Sequence, residues 1–141
     1  MEELSMKKWD FKKKIEDMSP QEVRERIEKA YAQKMPEIVG IPYVGVDDEV
    51  ITYIYPELTA LCPMTGLQDL YTLEITLEPN KFVPELKSLK FYLMGYRELP
   101  ISHEHLASKI YEDLERVLAP GLLEINLDTA VRGGIKTIVE I

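Results

Sequence analysis

Hydrophobic and polar positions alternate most cleanly over YTLEITLE, residues 71–78. There Tyr71, Leu73, Ile75 and Leu77 share one face of an extended chain, and Thr72, Glu74, Thr76 and Glu78 the other. One wet face implies an antiparallel sheet. EVITYIYPEL (49–58) predicts a strand that Pro56 stops, and KSLKFYLMGY (87–96) a second, beyond a loop with Pro79, Asn80 and Pro84. LLEINLD and GIKTIVEI predict a final strand pair. The period becomes helical in two places. Ser19, Pro20 and Glu22 form a capping box ahead of Val23, Ile27, Tyr31 and Met35, predicting a helix over 20–34 that ends before Pro36. Ser102 is placed to cap a second helix carrying Leu106, Ile110, Leu114 and Val117, closed by Pro120 and Gly121. The stretch between Met35 and Glu49, broken by Pro and Gly, predicts an irregular connection. This order of elements gives an α+β domain rather than a parallel βαβ sheet. Residues 1–18 form a polar lead-in from which Trp9 and Phe11 are expected to dock on the body, and 19–141 are expected to form one domain.

Composition narrows the classes. A chain of 141 residues with 45% hydrophobic content can bury a core without disulfides or metal. No long apolar run and no apolar region behind the charged start MEELSMKKWDFKKK are found, so neither a membrane span nor a signal peptide is expected, and the expected location is cytoplasmic. The formal net charge of −8 disfavours broad adhesion to nucleic acid, although Lys87, Lys90 and Arg97 form a local basic cluster.

Cys62 is the only cysteine, so no internal disulfide and no multi-thiolate metal site can form, and no metal is expected. A lone cysteine is most often a small core hydrophobe. Here it precedes Pro63, Thr65 and Gly66, which places it at the mouth of a loop, with Asp69 seven residues on. Thiolate chemistry needs a lowered thiol pKa and a proton donor for the attacked atom, and Asp69 can be that donor or can simply satisfy turn amides. His103 and Glu104 open the second helix. The helix terminus alone accounts for a carboxylate there, but a Glu can also accept two N–H donors from a guanine-like edge. His103 and His105 are two apart and do not face the same way, against a metal pair. ELKSLKFY, residues 85–92, reads most simply as an edge strand protected by lysines.

Together these stretches resemble the QueF family of 7-cyano-7-deazaguanine (preQ0) reductases. PELTALCPMTGLQD is similar to the stretch that carries the family's catalytic Cys and Asp, ELKSLKFY matches its NADPH signature throughout, SHEH matches its substrate-reading His-Glu, and VRGGI resembles its Arg-Gly-Gly. The resemblance implies the tunnelling fold, an antiparallel sheet with helices on one face, and a ring-shaped homo-oligomer with sites between subunits. It implies that Cys62 and Asp69 are catalytic and that Glu104 and His103 bind preQ0. NADPH would meet Glu85, Leu86, Lys87, Ser88, Lys90, Tyr92 and Arg132. On a regular strand Lys87 and Lys90 would face opposite ways, so both could serve one cofactor only across a bulge or from two subunits. Where the family has Pro-Asp-Phe-Ala-Thr, this chain has Gln68, Asp69, Leu70, Tyr71 and Thr72.

Two other readings stand beside the reductase. Archaeal relatives keep the Cys and Asp but add ammonia to the nitrile in tRNA, and they lack the NADPH signature. A tunnelling-fold protein could also bind a purine or pterin without turnover. A zinc cyclohydrolase fails for want of further Cys and His ligands.

Overall fold

The computed structural model describes residues 9–11, 13 and 15–141. A short 3-10 turn (Ile15–Asp17) leads to α1 (Pro20–Tyr31), followed by β1 (Gly40–Pro42), β2 (Ile51–Leu61), β3 (Gln68–Glu78) and β4 (Phe82–Pro84). Then come α2 (Leu86–Met94), a 3-10 turn (Gly95–Glu98), α3 (His103–Leu118), β5 (Leu122–Thr129) and β6 (Ile138–Glu140). β2, β3, β5 and β6 form one antiparallel sheet in that order, and β1 pairs with β4 in a second. The class is therefore α+β, as the order of elements implied.

The alternation in β3 does what its pattern predicts. Tyr71, Leu73, Ile75 and Leu77 are all buried, as are Leu123, Ile125 and Leu127 of β5 beside them. Across the core, α3 supplies Leu106, Ile110, Leu114 and Leu118, none of them exposed. Their spacing of four residues keeps them on one helical face, and each such side chain contributes about 1.5–3 kcal/mol of transfer free energy. α1 starts with the expected capping box: Glu22 N–H donates to Ser19 Oγ at 3.1 Å, and Ser19 N–H to Glu22 Oε1 at 3.0 Å. It ends at Tyr31, where buried Lys109 donates to the Tyr31 carbonyl at 2.7 Å, a cation at a helix C-terminus. The lead-in lies for the most part outside the described residues. Of it, Trp9 is buried in the core under Lys29, and Phe11 is packed against that core.

Three expectations are corrected. Pro56 does not stop β2. The strand runs on to Leu61, and the register shifts between Tyr55 and Leu58 so that Pro56 and Glu57 fall in a bulge. β2 is an edge strand, where a missing N–H is tolerated. Residues 87–96 are not a strand either. Leu89, Tyr92, Leu93 and Tyr96 are the buried positions, a 3–4–7 spacing, and Glu85 caps α2 by accepting from Lys87 N–H and Ser88 N–H, both at 2.8 Å. Ser102 stands at the N-cap of α3 but makes no side-chain cap. Its hydroxyl is hydrogen-bonded to His105 Nδ1 instead.

Candidate active site

The site is built where β2 turns into β3. Leu61, the last residue of β2, pairs with the segment that leads into α3: Leu61 N–H donates to the Leu99 carbonyl at 3.0 Å, and Ile101 N–H donates to the Leu61 carbonyl at 3.1 Å. That pairing brings the start of α3 to the residue that follows, Cys62. Cys62 N–H then donates to the Leu67 carbonyl at 2.7 Å and Gly66 N–H to the Cys62 carbonyl at 2.8 Å, closing the loop. Gly66 has φ +74°, a left-handed conformation that favours glycine, and a Cβ there would also meet the Phe11 ring at 3.0 Å. Arg26 of α1 donates to the Pro63 carbonyl at 3.0 Å and to the Asp10 carbonyl, with its guanidinium over Phe11. The chain ahead of α1 therefore braces the cysteine loop.

Cys62 is buried, and burial by itself raises its thiol pKa. Hydrogen bonds from the Thr65 hydroxyl, from the Thr65 and Met64 N–H groups and from Arg132 outweigh that effect, so the thiol lies below its ordinary value. Such a thiol gives up its proton more readily than an unperturbed one, and the thiolate is the nucleophilic form.

Asp69 pairs with Ala60 and shares the inward parity of β3, so its side chain is only 3% exposed. One carboxylate oxygen is held by Arg132. Arg132 arrives on a two-residue turn, Arg132–Ile135, closed by reciprocal backbone bonds of 3.0 and 2.9 Å, with Gly133 at φ +55° and Gly134 at φ +82°. Two consecutive positive φ values define the tight hairpin turn for which Gly-Gly is suited. Arg132 is itself raised above its ordinary pKa, first by its hydrogen bond to Cys62, with Asp69 adding to the effect against desolvation. Sequence reasoning put Arg132 with the cofactor residues. The structure pairs its guanidinium with the Asp69 carboxylate, where its charge also acts on Cys62.

Tyr71, two residues along β3, is a core position by its pattern. Its hydroxyl lies 3.1 Å from His103 Nδ1, ring edge to ring face at 5.8 Å between centroids. Burial first, then the Asp69 charge, push its phenol well above the ordinary value. Cys62, Asp69, Arg132, Tyr71 and His103 thus form one connected cluster. Glu104 opens α3 beside it, exposed and without a hydrogen-bond or ion-pair partner among the described residues.

The remaining candidates lie on α2. Lys87 and Lys90 are exposed, three residues apart and so on one helical side, which removes the parity difficulty that a strand would impose. Neither takes part in an ion pair among the described residues, and Leu86 and Phe91 are exposed around them. Glu85 is spent on capping, Ser88 ties the helix to Val39 N–H at 2.9 Å, and Tyr92 is buried with its hydroxyl on Tyr96 and Asp113. Among the described residues no cluster of three or more His, Cys, Asp or Glu could hold a metal, and no helix is long and apolar enough to cross a membrane.

A buried acid and a cation stand beside a thiol held below its ordinary pKa, on the antiparallel sheet of an α+β protein backed by helices. The profile of the family described as QueF-like protein matches residues 69–141, a span that includes Asp69, the α2 signature, His103, Glu104 and Arg132. The chain is 40% identical over 94 residues to the NADPH-dependent 7-cyano-7-deazaguanine reductase of Sulfurimonas denitrificans, covering 67% of this chain and 75% of that one. To the protein of the same name from Thermoanaerobacter pseudethanolicus it is 39% identical over 116 residues, covering 82% and 77%. It belongs to the QueF family. The fold is also that of an archaeosine synthase QueF-Like solved in its apo form, with a TM-score of 0.63 at 18% identity over 68% of this chain and 94% of that one.

Proposed function

We propose that this protein reduces the nitrile of 7-cyano-7-deazaguanine (preQ0) to an aminomethyl group at the expense of two NADPH, acting in the cytoplasm on the free base. The observation that carries this reading is the lowered thiol of Cys62 beside the buried Asp69 carboxylate and the Arg132 guanidinium that pairs with it, in a chain whose relatives are named for that reaction. Cys62 attacks the nitrile carbon as thiolate, and its proton passes through Asp69 to the nitrile nitrogen, giving a thioimide bonded to Cys62. Arg132 holds the Asp69 carboxylate in place and stabilises the thiolate before attack. Glu104 accepts from the ring N–H and the exocyclic amino group of the substrate, while His103 fixes the other side of the ring. NADPH supplies hydride, one molecule for each of the two reduction steps. The outer face of α2 suits it: Lys87 and Lys90 are free to take phosphate oxygens, and Leu86 and Phe91 offer apolar surface, whereas Glu85, Ser88 and Tyr92 keep that helix in place.

In this reading residues 19–141 act as one tunnelling-fold domain and assemble into a ring-shaped homo-oligomer. The open edge of β2 and the short edge strand β6 are available for pairing between copies. The lysine face of α2 also separates this reading from addition of ammonia to a nitrile in tRNA, a reaction that needs no dinucleotide. Following NADPH absorbance after addition of limiting preQ0 tests the function. Consumption of two NADPH per nitrile supports it, and no consumption rejects it.

A further inference from the structure

Asp69 raises a question of supply. Converting a nitrile to an amine adds two hydrides and two protons. The capture step needs no outside proton, because the Cys62 thiol provides it. The two protons taken up later must come from solution, one to restore the Cys62 thiol and one for the amine nitrogen. The acid that would deliver them is 2% exposed and has one oxygen on Arg132.

The structure offers one side chain as the link. Tyr71 stands two residues from Asp69 on the same inward face of β3, is 3% exposed, and feels the Asp69 charge. Its hydroxyl is at the same time 3.1 Å from Nδ1 of His103, a half-buried residue in the first turn of α3. A phenol has one proton and can accept another. The groups facing it are Asp69 of β3, Cys62 of the loop, Arg132 of the hairpin and His103 of α3. Of these, the carboxylate is the strongest acceptor for its O–H.

We propose that Tyr71 is a positioning residue that couples Asp69 to His103. Its hydroxyl donates to the Asp69 carboxylate and accepts from His103 Nδ1–H, so that the buried acid is recharged from solvent through one phenol. A solvent proton added at His103 Nε2 lets His103 release its Nδ1 proton to the phenol oxygen as the phenol passes its own proton to Asp69. The imidazole is left neutral with its proton on Nε2 and returns to the starting tautomer by exchange with water. No charge accumulates and no redox partner is needed. The relay rests on the reductase reading, but the hydrogen-bond pattern that defines it does not.

The test is the tautomer of His103, read by two-bond proton–nitrogen correlation spectra of protein labelled with nitrogen-15 in histidine, at a pH where the ring is neutral. His103→Gln assigns the signal. Wild-type protein is expected to carry the proton on Nδ1, and Tyr71→Phe is expected to abolish that preference. A wild-type Nε2–H form, or an unchanged tautomer in Tyr71→Phe, overturns the proposal. The wild-type spectrum alone decides the direction of the bond, so a variant that fails to fold does not rescue the idea. Where NADPH oxidation is observed, Tyr71→Phe is expected to lower kcat by at least about tenfold, the scale of a lost acid-base partner, with KM for preQ0 and the rate of Cys62 adduct formation nearly unchanged. Adduct formation falling in step with kcat would show that Tyr71 does not act as a recharging link. Absence of NADPH oxidation in the wild type removes the reductase reading, and the spectrum still judges the coupling.

Discussion

Replacing Thr65 by valine isolates the largest single contribution that favours the Cys62 thiolate. The substitution keeps the shape of the side chain and removes one hydroxyl, which lowers the thiol and also accepts from Leu67 N–H at 3.2 Å. A hydrogen bond to a charged group is worth about 1.5–3 kcal/mol. Three other donors, the Thr65 and Met64 N–H groups and Arg132, remain around the sulfur and compensate in part. The lower end therefore applies, and about 1.5 kcal/mol is a factor of about ten in thiolate fraction at neutral pH. The assay is the rate of alkylation by iodoacetamide followed from neutral into alkaline pH. Thr65→Val is expected to react about tenfold more slowly near neutrality and to converge with wild type in alkali, where both thiols are ionised. Its profile moves to higher pH. A profile that superimposes on wild type refutes the assignment, and a uniform slowing at every pH would mean altered access rather than altered ionisation. The sign also fixes a stability effect. Because the folded pKa of Cys62 is depressed, its contribution is present above the unfolded thiol's pKa and is lost as pH falls through the folded value. Thr65→Val should then cost stability in alkali and almost none well below the folded pKa.

Three further outcomes are expected. Leu73→Ala, at a fully buried position of β3, should destabilise by about 2–5 kcal/mol in urea unfolding, and a loss below about 1 kcal/mol would contradict the packing described. Ala119 ends α3 at φ 42°, a left-handed conformation that costs an alanine energy, so Ala119→Gly should raise stability by about 0.5–1 kcal/mol, and any loss would argue against that cap. Lys87→Ala and Lys90→Ala should each raise KM for NADPH by about threefold to tenfold, more at low salt, while leaving the rate of Cys62 adduct formation unchanged; unaltered KM in both would remove α2 from the cofactor site.

What could be read from the chain depended on whether one local rule decided the outcome. β3 was legible because a strand with one buried face has no other way to arrange Tyr71, Leu73, Ile75 and Leu77. The Ser19 box was legible because both of its bonds lie within four residues. α2 misled because Leu89, Phe91, Tyr92 and Leu93 crowd together in a way that suits either state, and the cap that decides it is a glutamate after a proline. Pro56 misled because a bulge on an edge strand is a tertiary accommodation. In the site, Cys62, Asp69, His103 and Glu104 could be picked out by residue type and by family resemblance. The partnership of Arg132 with Asp69 spans 63 positions, and no spacing rule reaches that far. Tyr71 was hidden by its own pattern: its ring belongs to the core face, and only its hydroxyl, near His103, belongs to the site.

The claim at the centre of the account is that Cys62, with Asp69 and Arg132 behind it, captures a nitrile carbon. Intact-mass measurement of the protein incubated with preQ0 and no NADPH tests it most directly. The account predicts a gain equal to the whole nitrile, located on the peptide that carries Cys62 and absent from Cys62→Ala. An unchanged mass under saturating preQ0, or an equal gain in Cys62→Ala, would contradict it.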